Sequence, residues 1–168
     1  VIFPKKYKNF LINDSKKLSK NKREILQKSI KKEAISWSVG IVEEKEIDDI
    51  NILNASFLAM HKAIRNLKTT PELLLIDGNR FNPYPNINHK CIVKGDSIYI
   101  SIAAASIIAK VFRDQEMCSL DKIYPGYGFS QHKGYGTKKH LEAINRLGPT
   151  PVHRKSFEPI KSILSGRL

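Results

Sequence analysis

Hydrophobic and polar positions change period several times along this chain, and each change marks an element. The apolar run Leu73-Leu74-Leu75-Ile76, preceded by Pro71-Glu72 and closed by Asp77-Gly78-Asn79, predicts a short strand over 72–76. It reads as buried on both faces, because a strand with one wet face alternates. Between Ile35 and Val42 the pattern does alternate, with Ile35, Trp37, Val39 and Ile41 on one face and Ser36, Ser38 and Gly40 on the other, which predicts a half-buried strand. Cys91-Ile92-Val93 predicts a further short strand, and Lys94-Gly95-Asp96-Ser97 a polar turn after it.

Five segments read as helices. Ser19 is suited to cap a helix running to about Glu33, with Ile25, Leu26 and Ile30 as its buried stripe. The acids from Glu43 to Asp49 suit a first helical turn, and Ile47, Ile50, Leu53, Phe57, Leu58, Ile64 and Leu67 keep the period to Asn66 or Leu67, with a break expected near Asn51. Ser101 to Val111 predicts a helix of small residues, whose alanines let it approach a sheet while Ile107, Ile108 and Val111 fill the gap, and which continues into Phe112–Met117. The glycine-rich stretch from Tyr124 to Gly136 reads as irregular; Thr137 then caps a helix closing at Leu147 and Gly148, and Phe157 to Leu164 predicts a short last helix. Strands and helices in short alternation argue for α/β architecture.

Length adds that a chain of 168 residues, 41% hydrophobic, supplies one core, so a single domain over 1–168 is expected. No apolar run approaches the roughly 18 residues of a membrane span, and no secretory signal pattern is present, which predicts a cytoplasmic protein. Cys91 and Cys118 lack a Cys-x-x-Cys pattern and read as buried thiols, with neither a zinc site nor a disulfide framework. Net charge is +13, from 29 Lys and Arg against 16 Asp and Glu, which suits a polyanionic partner such as nucleic acid. Because 22 of those 29 are lysine, in a chain also rich in Ile and Asn, a genome biased toward A and T explains part of the excess. Its distribution is more telling. Residues 1–32 carry eleven Lys or Arg against Asp14 and Glu24, whereas 33–50 hold six acids and only Lys45.

Two carboxylates are candidates for chemistry, Asp77 at a strand end and Asp114 on or beyond a helix. Loops past the ends of buried strands are where α/β sheets bind ligands, and Mg²⁺ and Mn²⁺ favour hard oxygen donors. Phosphoryl-transfer sites commonly hold two such ions about 3.5–4 Å apart, one activating water and one stabilising the leaving oxygen. A polar turn at Asp77-Gly78-Asn79 and a solvated helix face at Asp114 and Glu116 explain the same residues, so spacing leaves both readings open.

Six motifs in order carry more weight. Asn13-Asp14-Ser15-Lys16-Lys17-Leu18, Ile76-Asp77-Gly78-Asn79, Lys94-Gly95-Asp96-Ser97, Ile102-Ala103-Ala104-Ala105-Ser106-Ile107 with Ala109-Lys110-Val111, Arg113-Asp114, and His132-Lys133-Gly134-Tyr135-Gly136-Thr137 closely resemble ribonuclease HII over nearly the whole chain. The resemblance implies a ribonuclease H-like mixed sheet flanked by helices, with a helical C-terminal part. It also implies an endonuclease that cuts the RNA strand of RNA–DNA hybrids and single ribonucleotides embedded in duplex DNA, leaves a 5′-phosphate and uses Mn²⁺ or Mg²⁺; separately, a monomer is expected. By the same resemblance Asp77 and Asp114 are the metal-binding catalytic carboxylates. Tyr135 packs against the nucleotide at the RNA-to-DNA junction, and Asn13, Ser15, Lys16 and Lys94 hold the substrate backbone without reading sequence.

One departure accompanies it. Ribonuclease HII chains begin with a strand bearing adjacent Asp-Glu and then Gly-Arg-Gly, and nothing here matches that segment; Val1-Ile2-Phe3-Pro4 reads as the end of a strand. An N-terminally truncated chain lacking the central strand is the resulting expectation, and with it a second reading, a catalytically inactive basic fragment that binds nucleic acid. A third reading, a basic structural protein of a ribonucleoprotein, explains the charge but not a buried strand ending in Asp77.

Overall fold

The computed structural model describes residues 1–166. Among these residues six helices and two strands follow one another as α1 (Lys20–Glu33), α2 (Glu44–Arg65), β1 (Leu73–Asp77), β2 (Asn88–Ile92), α3 (Ile100–Ile123), α4 (Phe129–His132), α5 (Lys138–Leu147) and α6 (Ile160–Leu164), with short 3₁₀ turns at Ser15–Lys17 and Gly95–Ser97. No helix is long and apolar enough to cross a membrane, among the described residues. The chain divides into two compact units, Val1–Ile41 with Phe57–Val111, and Val42–Ser56 with the residues from 112 onward.

In the first unit β1 and β2 pair in parallel, Leu73 opposite Asn88 through to Asp77 opposite Ile92, and Gly78 N–H extends the ladder to the Ile92 carbonyl at 3.0 Å. The α/β class holds, with a sheet that among the described residues consists of these two strands. Leu74 and Ile76 are buried with Phe57 and Phe81, whose rings meet edge to face at 6.3 Å. Leu73 and Leu75 turn the other way and line a groove of about 990 Å³ with Val1, Phe3, Ala105 and Ala109. The strand is therefore buried on one face, and its apolar opposite face borders that groove.

The second apolar cluster of this unit joins α1 to the first half of α3. Leu26 and Ile30 pack against Ala103, Ala104, Ile107, Ile108 and Val111, with Ile12 from the lysine-rich segment. The expected small-residue helix forms, with Ala103, Ala104, Ile107, Ile108 and Val111 packed against α1 and Ile102 against Gly95, just past β2. Each buried Leu, Ile or Val among them contributes about 1.5–3 kcal/mol by leaving water, and each alanine less. Ile25, expected in the stripe, is 67% exposed, since it falls one position before Leu26 and about 100° round the helix.

Segment 35–42 departs most from its pattern. It forms one antiparallel bridge, Ile2 with Ser36, and no strand. Its serines turn inward, with Val39 alone of the apolar face packing on a core cluster: Ser36 is buried and its hydroxyl accepts Lys68 N–H at 3.0 Å, while the Ser38 hydroxyl donates to the Ala63 carbonyl. A Cβ on Gly40 would stand 1.9 Å from the Ala59 carbonyl oxygen, so only glycine lets this segment lie against the α2 backbone. Ile35 and Ile41 are left exposed, and Trp37 carries the Lys31 ammonium 4.3 Å above its ring.

Helix α2 breaks where expected, at Asn51 with φ 67° and ψ 166°. The Asn51 side-chain oxygen accepts the N–H groups of Leu53 and Asn54, capping the helix that restarts there.

The second unit is built around Met117, Tyr127, Phe129, Ala143, Ile144 and Ile160. Ser19 and Thr137 cap α1 and α5 as the sequence predicts, accepting N–H bonds from Lys22 and His140. The glycine-rich stretch, expected to be irregular throughout, contains the single turn α4. Asp121 stabilises that turn: its carboxylate accepts the Ser130 hydroxyl, and this bond holds it below the usual carboxylate range against the opposing effect of burial. Asp48 takes the N–H groups of Lys155 and Ser156 at 2.7 and 2.9 Å. Burial acts to raise its pKa, and the bonds from the Ser156 hydroxyl and these amides outweigh that and lower it. Both cysteines are free and half-buried, so neither is the fully buried thiol expected.

Candidate active-site residues in the two units

In the first unit Asp77 ends β1 with its side chain exposed, and its Oδ1 accepts the Gly95 N–H at 2.9 Å. A larger residue at position 95 would fit only if Ile102 gave way. A Cβ would lie 2.6 Å from Ile102 Cδ1 and 3.4 Å from Ile92 Cβ, so the bare amide is what reaches the carboxylate. Gly78 turns the chain away from the strand with φ +110°, a conformation L side chains rarely adopt. One oxygen of Asp77 is thus fixed by an amide dipole, leaving Oδ2 as a hard donor at a strand end. Lys94, immediately before Gly95, is exposed and in the left-handed region at φ 56°.

Asn13, Ser15 and Lys16 occupy the turn before α1. Asn13 is exposed and accepts Asp14 N–H at 2.7 Å, and Asp14 in turn caps the 3₁₀ turn by accepting Lys16 N–H at 2.9 Å. Ser15 points inward: it is 5% exposed, and its hydroxyl lies 2.8 Å from that of Ser106 on α3. The Arg23 guanidinium donates to the Ser15 and Leu18 carbonyls at 3.1 and 2.6 Å. This turn is therefore fastened through Ser15 and Arg23, while Asn13 and Lys16 are presented to solvent.

In the second unit Asp114 lies on the C-terminal half of α3 and is 6% exposed. Its neighbour Arg113 approaches the Tyr135 loop, with one guanidinium nitrogen 3.2 Å from where a Cβ on Gly134 would be. Tyr135 itself is 67% exposed on a tightly bonded backbone: its N–H donates to the His132 carbonyl at 2.9 Å, and its carbonyl accepts Thr137 N–H at 2.8 Å and faces His140 Nδ1 at 3.0 Å. The loop is ordered so that a large ring faces water, an arrangement that packing alone does not reward.

Three buried histidines behind this loop, His132, His140 and His153, are functional candidates that pattern reading missed. His132 falls within a quoted motif, and His140 follows the Thr137 cap, but nothing local in sequence says that they meet.

Mn²⁺ and Mg²⁺ take oxygen ligands, so Asp77 and Asp114 fit such an ion in kind. Asp77 belongs to the first unit and Asp114 to the second. Among the described residues no group of three or more His, Cys, Asp or Glu is placed to hold a metal ion.

Helices together with a short parallel sheet, one strand of which ends in an exposed carboxylate, make this an α/β protein. The solved structure of ribonuclease H2 from Pyrococcus horikoshii OT3 shares this fold, with a TM-score of 0.75 at 23% identity over 93% of this chain and 81% of that one. A family model, Ribonuclease HII, matches residues 2–160. Proteins named ribonuclease HII are 59% identical in Parabacteroides distasonis and 55% identical in Bacteroides thetaiotaomicron, each over 157 residues, covering 94% of this chain and 79% and 78% of the relatives. A further one, from Porphyromonas gingivalis, is 52% identical over 160 residues, 95% of this chain and 80% of that protein. The chain belongs to the ribonuclease HII family, as its six motifs indicate, and is a hydrolase of the endoribonuclease H type.

Proposed function

We propose that the chain acts on RNA–DNA hybrids and on duplex DNA containing embedded ribonucleotides, cleaving on the RNA side to leave a 5′-phosphate, with Asp77 and Asp114 as metal-binding carboxylates. The observation that carries the reading is the exposed Asp77 at the end of β1, with one oxygen fixed by Gly95 N–H and the other left for a hard cation. When bound, Mn²⁺ or Mg²⁺ supplies Lewis-acid activation of water and charge stabilisation at the leaving oxygen. The chain's own residues bind and orient. Tyr135 offers an exposed ring for packing against the sugar and base at the RNA-to-DNA junction, where the 2′-hydroxyl distinguishes the two nucleic acids. Asn13, Lys16 and Lys94 are exposed and suited to phosphate oxygens, contacts that position a duplex without reading its sequence. Ser15 serves by fixing the turn through Ser106.

A second reading, binding without cleavage, is favoured by the absence of any grouped set of three metal donors among the described residues. One assay separates them: a labelled duplex with a single embedded ribonucleotide, incubated with Mn²⁺ and with Mg²⁺. The nuclease reading expects cutting at the ribonucleotide and its loss in Asp77→Asn by at least about 100-fold, as for removal of a group that acts in the transition state. Tight binding with no cutting in either metal leaves only the binding reading, and cutting unaffected by Asp77→Asn removes Asp77 from the site.

A further inference from the structure

The main-chain carbonyl of Tyr135 ends a line of hydrogen bonds that lies wholly within the second unit. Thr150 N–H reaches His153 Nδ1 at 2.9 Å, with the Thr150 hydroxyl 2.7 Å from the same nitrogen. His153 Nε2 lies 3.1 Å from His140 Nε2, and His140 Nδ1 lies 3.0 Å from the Tyr135 carbonyl. A backbone N–H can only donate and a carbonyl can only accept. So His153 Nδ1 is bare, its proton sits on Nε2 and is donated to His140 Nε2, and the proton of His140 sits on Nδ1 and is donated to Tyr135. His132 is set the same way: Gly134 N–H donates to its Nδ1 at 3.2 Å, and its Nε2–H donates to the Tyr127 carbonyl at 2.7 Å. Backbone groups at the ends thus dictate one neutral tautomer for each of the three rings.

We propose that His140 and His153 are positioning residues for Tyr135, a relay that works only with both rings neutral and that holds the loop in its binding shape. This rests on the reading of Tyr135 as a nucleic-acid contact. A second proton on His140 has to go on Nε2, where it meets the His153 Nε2–H head on. A second proton on His153 has to go on Nδ1, where it meets Thr150 N–H. Either event breaks a bond behind His140, the one from His153 or the one from Thr150 N–H, so the ring keeps its Nδ1–H toward the Tyr135 carbonyl but loses the support that fixes its place.

The surroundings oppose such a proton. The Phe129 ring lies 5.5 Å from both His140 and His153, Tyr127 lies 5.6 Å from His153, and His132 stacks on His140 at 4.1 Å. Burial pushes the His140 pKa down, against the bond to Tyr135, and His132 adds to the depression. Burial likewise lowers that of His153, followed by the proximity of His140. The charged groups nearby have other partners or another face. Asp121 of α3 is bonded to Ser130, and Lys139, Glu142 and Arg146 of α5 line a separate cavity beside His132. Arg154, next to His153, lies over the Phe157 ring at 3.6 Å in the field of Arg113 and Asp48.

The sign follows. Folding favours the neutral rings, so the relay is complete above pH 6.5, the ordinary histidine value, and is lost as pH falls through the lowered one. Protonation also adds positive charge, which by itself would strengthen binding to phosphates. A fall in affinity on acidification therefore runs against bulk electrostatics and marks the relay.

The test is the dissociation constant of a duplex with one embedded ribonucleotide, measured at fixed salt in EDTA from pH 7.5 to 5.5, for wild type, Tyr135→Ala, His140→Ala and His140→Asn. Asn places an amide N–H near the position of Nδ1 and does not titrate. Expected are a fall in affinity for wild type as pH drops below 6.5, a loss of about tenfold at all pH values for His140→Ala, and a partial recovery with a flat profile for His140→Asn, which restores the donor to Tyr135 but not the acceptor for His153. Long-range ¹H–¹⁵N spectra of the imidazoles at pH 7.5 give the tautomers directly, with His140 protonated on Nδ1 and His153 and His132 on Nε2. If Tyr135→Ala binds like wild type, the reading of Tyr135 fails. If Tyr135→Ala weakens binding but His140→Ala does not, or His140 carries its proton on Nε2, the relay is overturned.

Discussion

Replacing Gly95 by alanine tests the joint between Asp77 and the rest of its unit. The new Cβ would meet Ile102 Cδ1 at 2.6 Å, where carbon atoms normally rest about 3.5–4.0 Å apart, so that methyl has to retreat by about 1 Å. Ile102 is only 6% exposed and has little room, and overpacking of this size costs about 1–3 kcal/mol. The other contacts, 3.4 Å to Ile92 Cβ and 3.6 Å to Asp77 Oδ1, are tight or ordinary and add less. Urea unfolding followed by circular dichroism should show a lower midpoint at unchanged slope. Thermal unfolding should shift down by about 2–4 °C for each kcal/mol lost. Ile102→Val identifies the cause, because it deletes the offending Cδ1. By itself it costs about 0.5–1.5 kcal/mol for the lost methyl, and in its presence Gly95→Ala should add well under 1 kcal/mol. Equal losses in both backgrounds, or none in the wild type, would refute the claim that Gly95 is held to glycine by Ile102.

Ile107 is fully buried between α3 and α1, so Ile107→Ala should cost about 2–5 kcal/mol in the same urea experiment, and a loss below 1 kcal/mol would contradict the packing described. Tyr127 donates its hydroxyl to the Gly148 carbonyl at 2.7 Å and lies 3.3 Å from that of Leu147. Tyr127→Phe leaves those acceptors at the end of α5 unpaired, which should cost about 1–2 kcal/mol and quicken amide exchange in the last turn of that helix; unchanged exchange there would count against it.

Much of the chain was legible residue by residue. Ser19 and Thr137 cap their helices because an N-cap bond spans three residues and needs nothing from the rest of the fold. The break at Asn51 is equally local, an asparagine whose side chain restarts the helix two and three residues on. Segment 35–42 misled because alternation tells only that two faces differ. Serine and glycine won the inner face, since a closely approaching α2 admits small side chains and offers carbonyl and amide partners. Position 25 misled for a related reason, as one residue of drift round a helix moves a side chain from core to water.

The candidate site divides along the same line. Sequence alone determined the order of the elements, the carboxylate at the end of β1, the exposed basic turn and the ordered motifs that identify the family. Each is a matter of residue type and short spacing. Tertiary structure decided what those residues touch: Gly95 reaching Asp77 from 18 positions away, Ser15 turning inward to Ser106 across 91, and three histidines assigned one tautomer each behind Tyr135. A hydrogen bond's direction and a side chain's burial depend on the atom opposite, and distant parts of the chain come to lie opposite one another only when the core has closed.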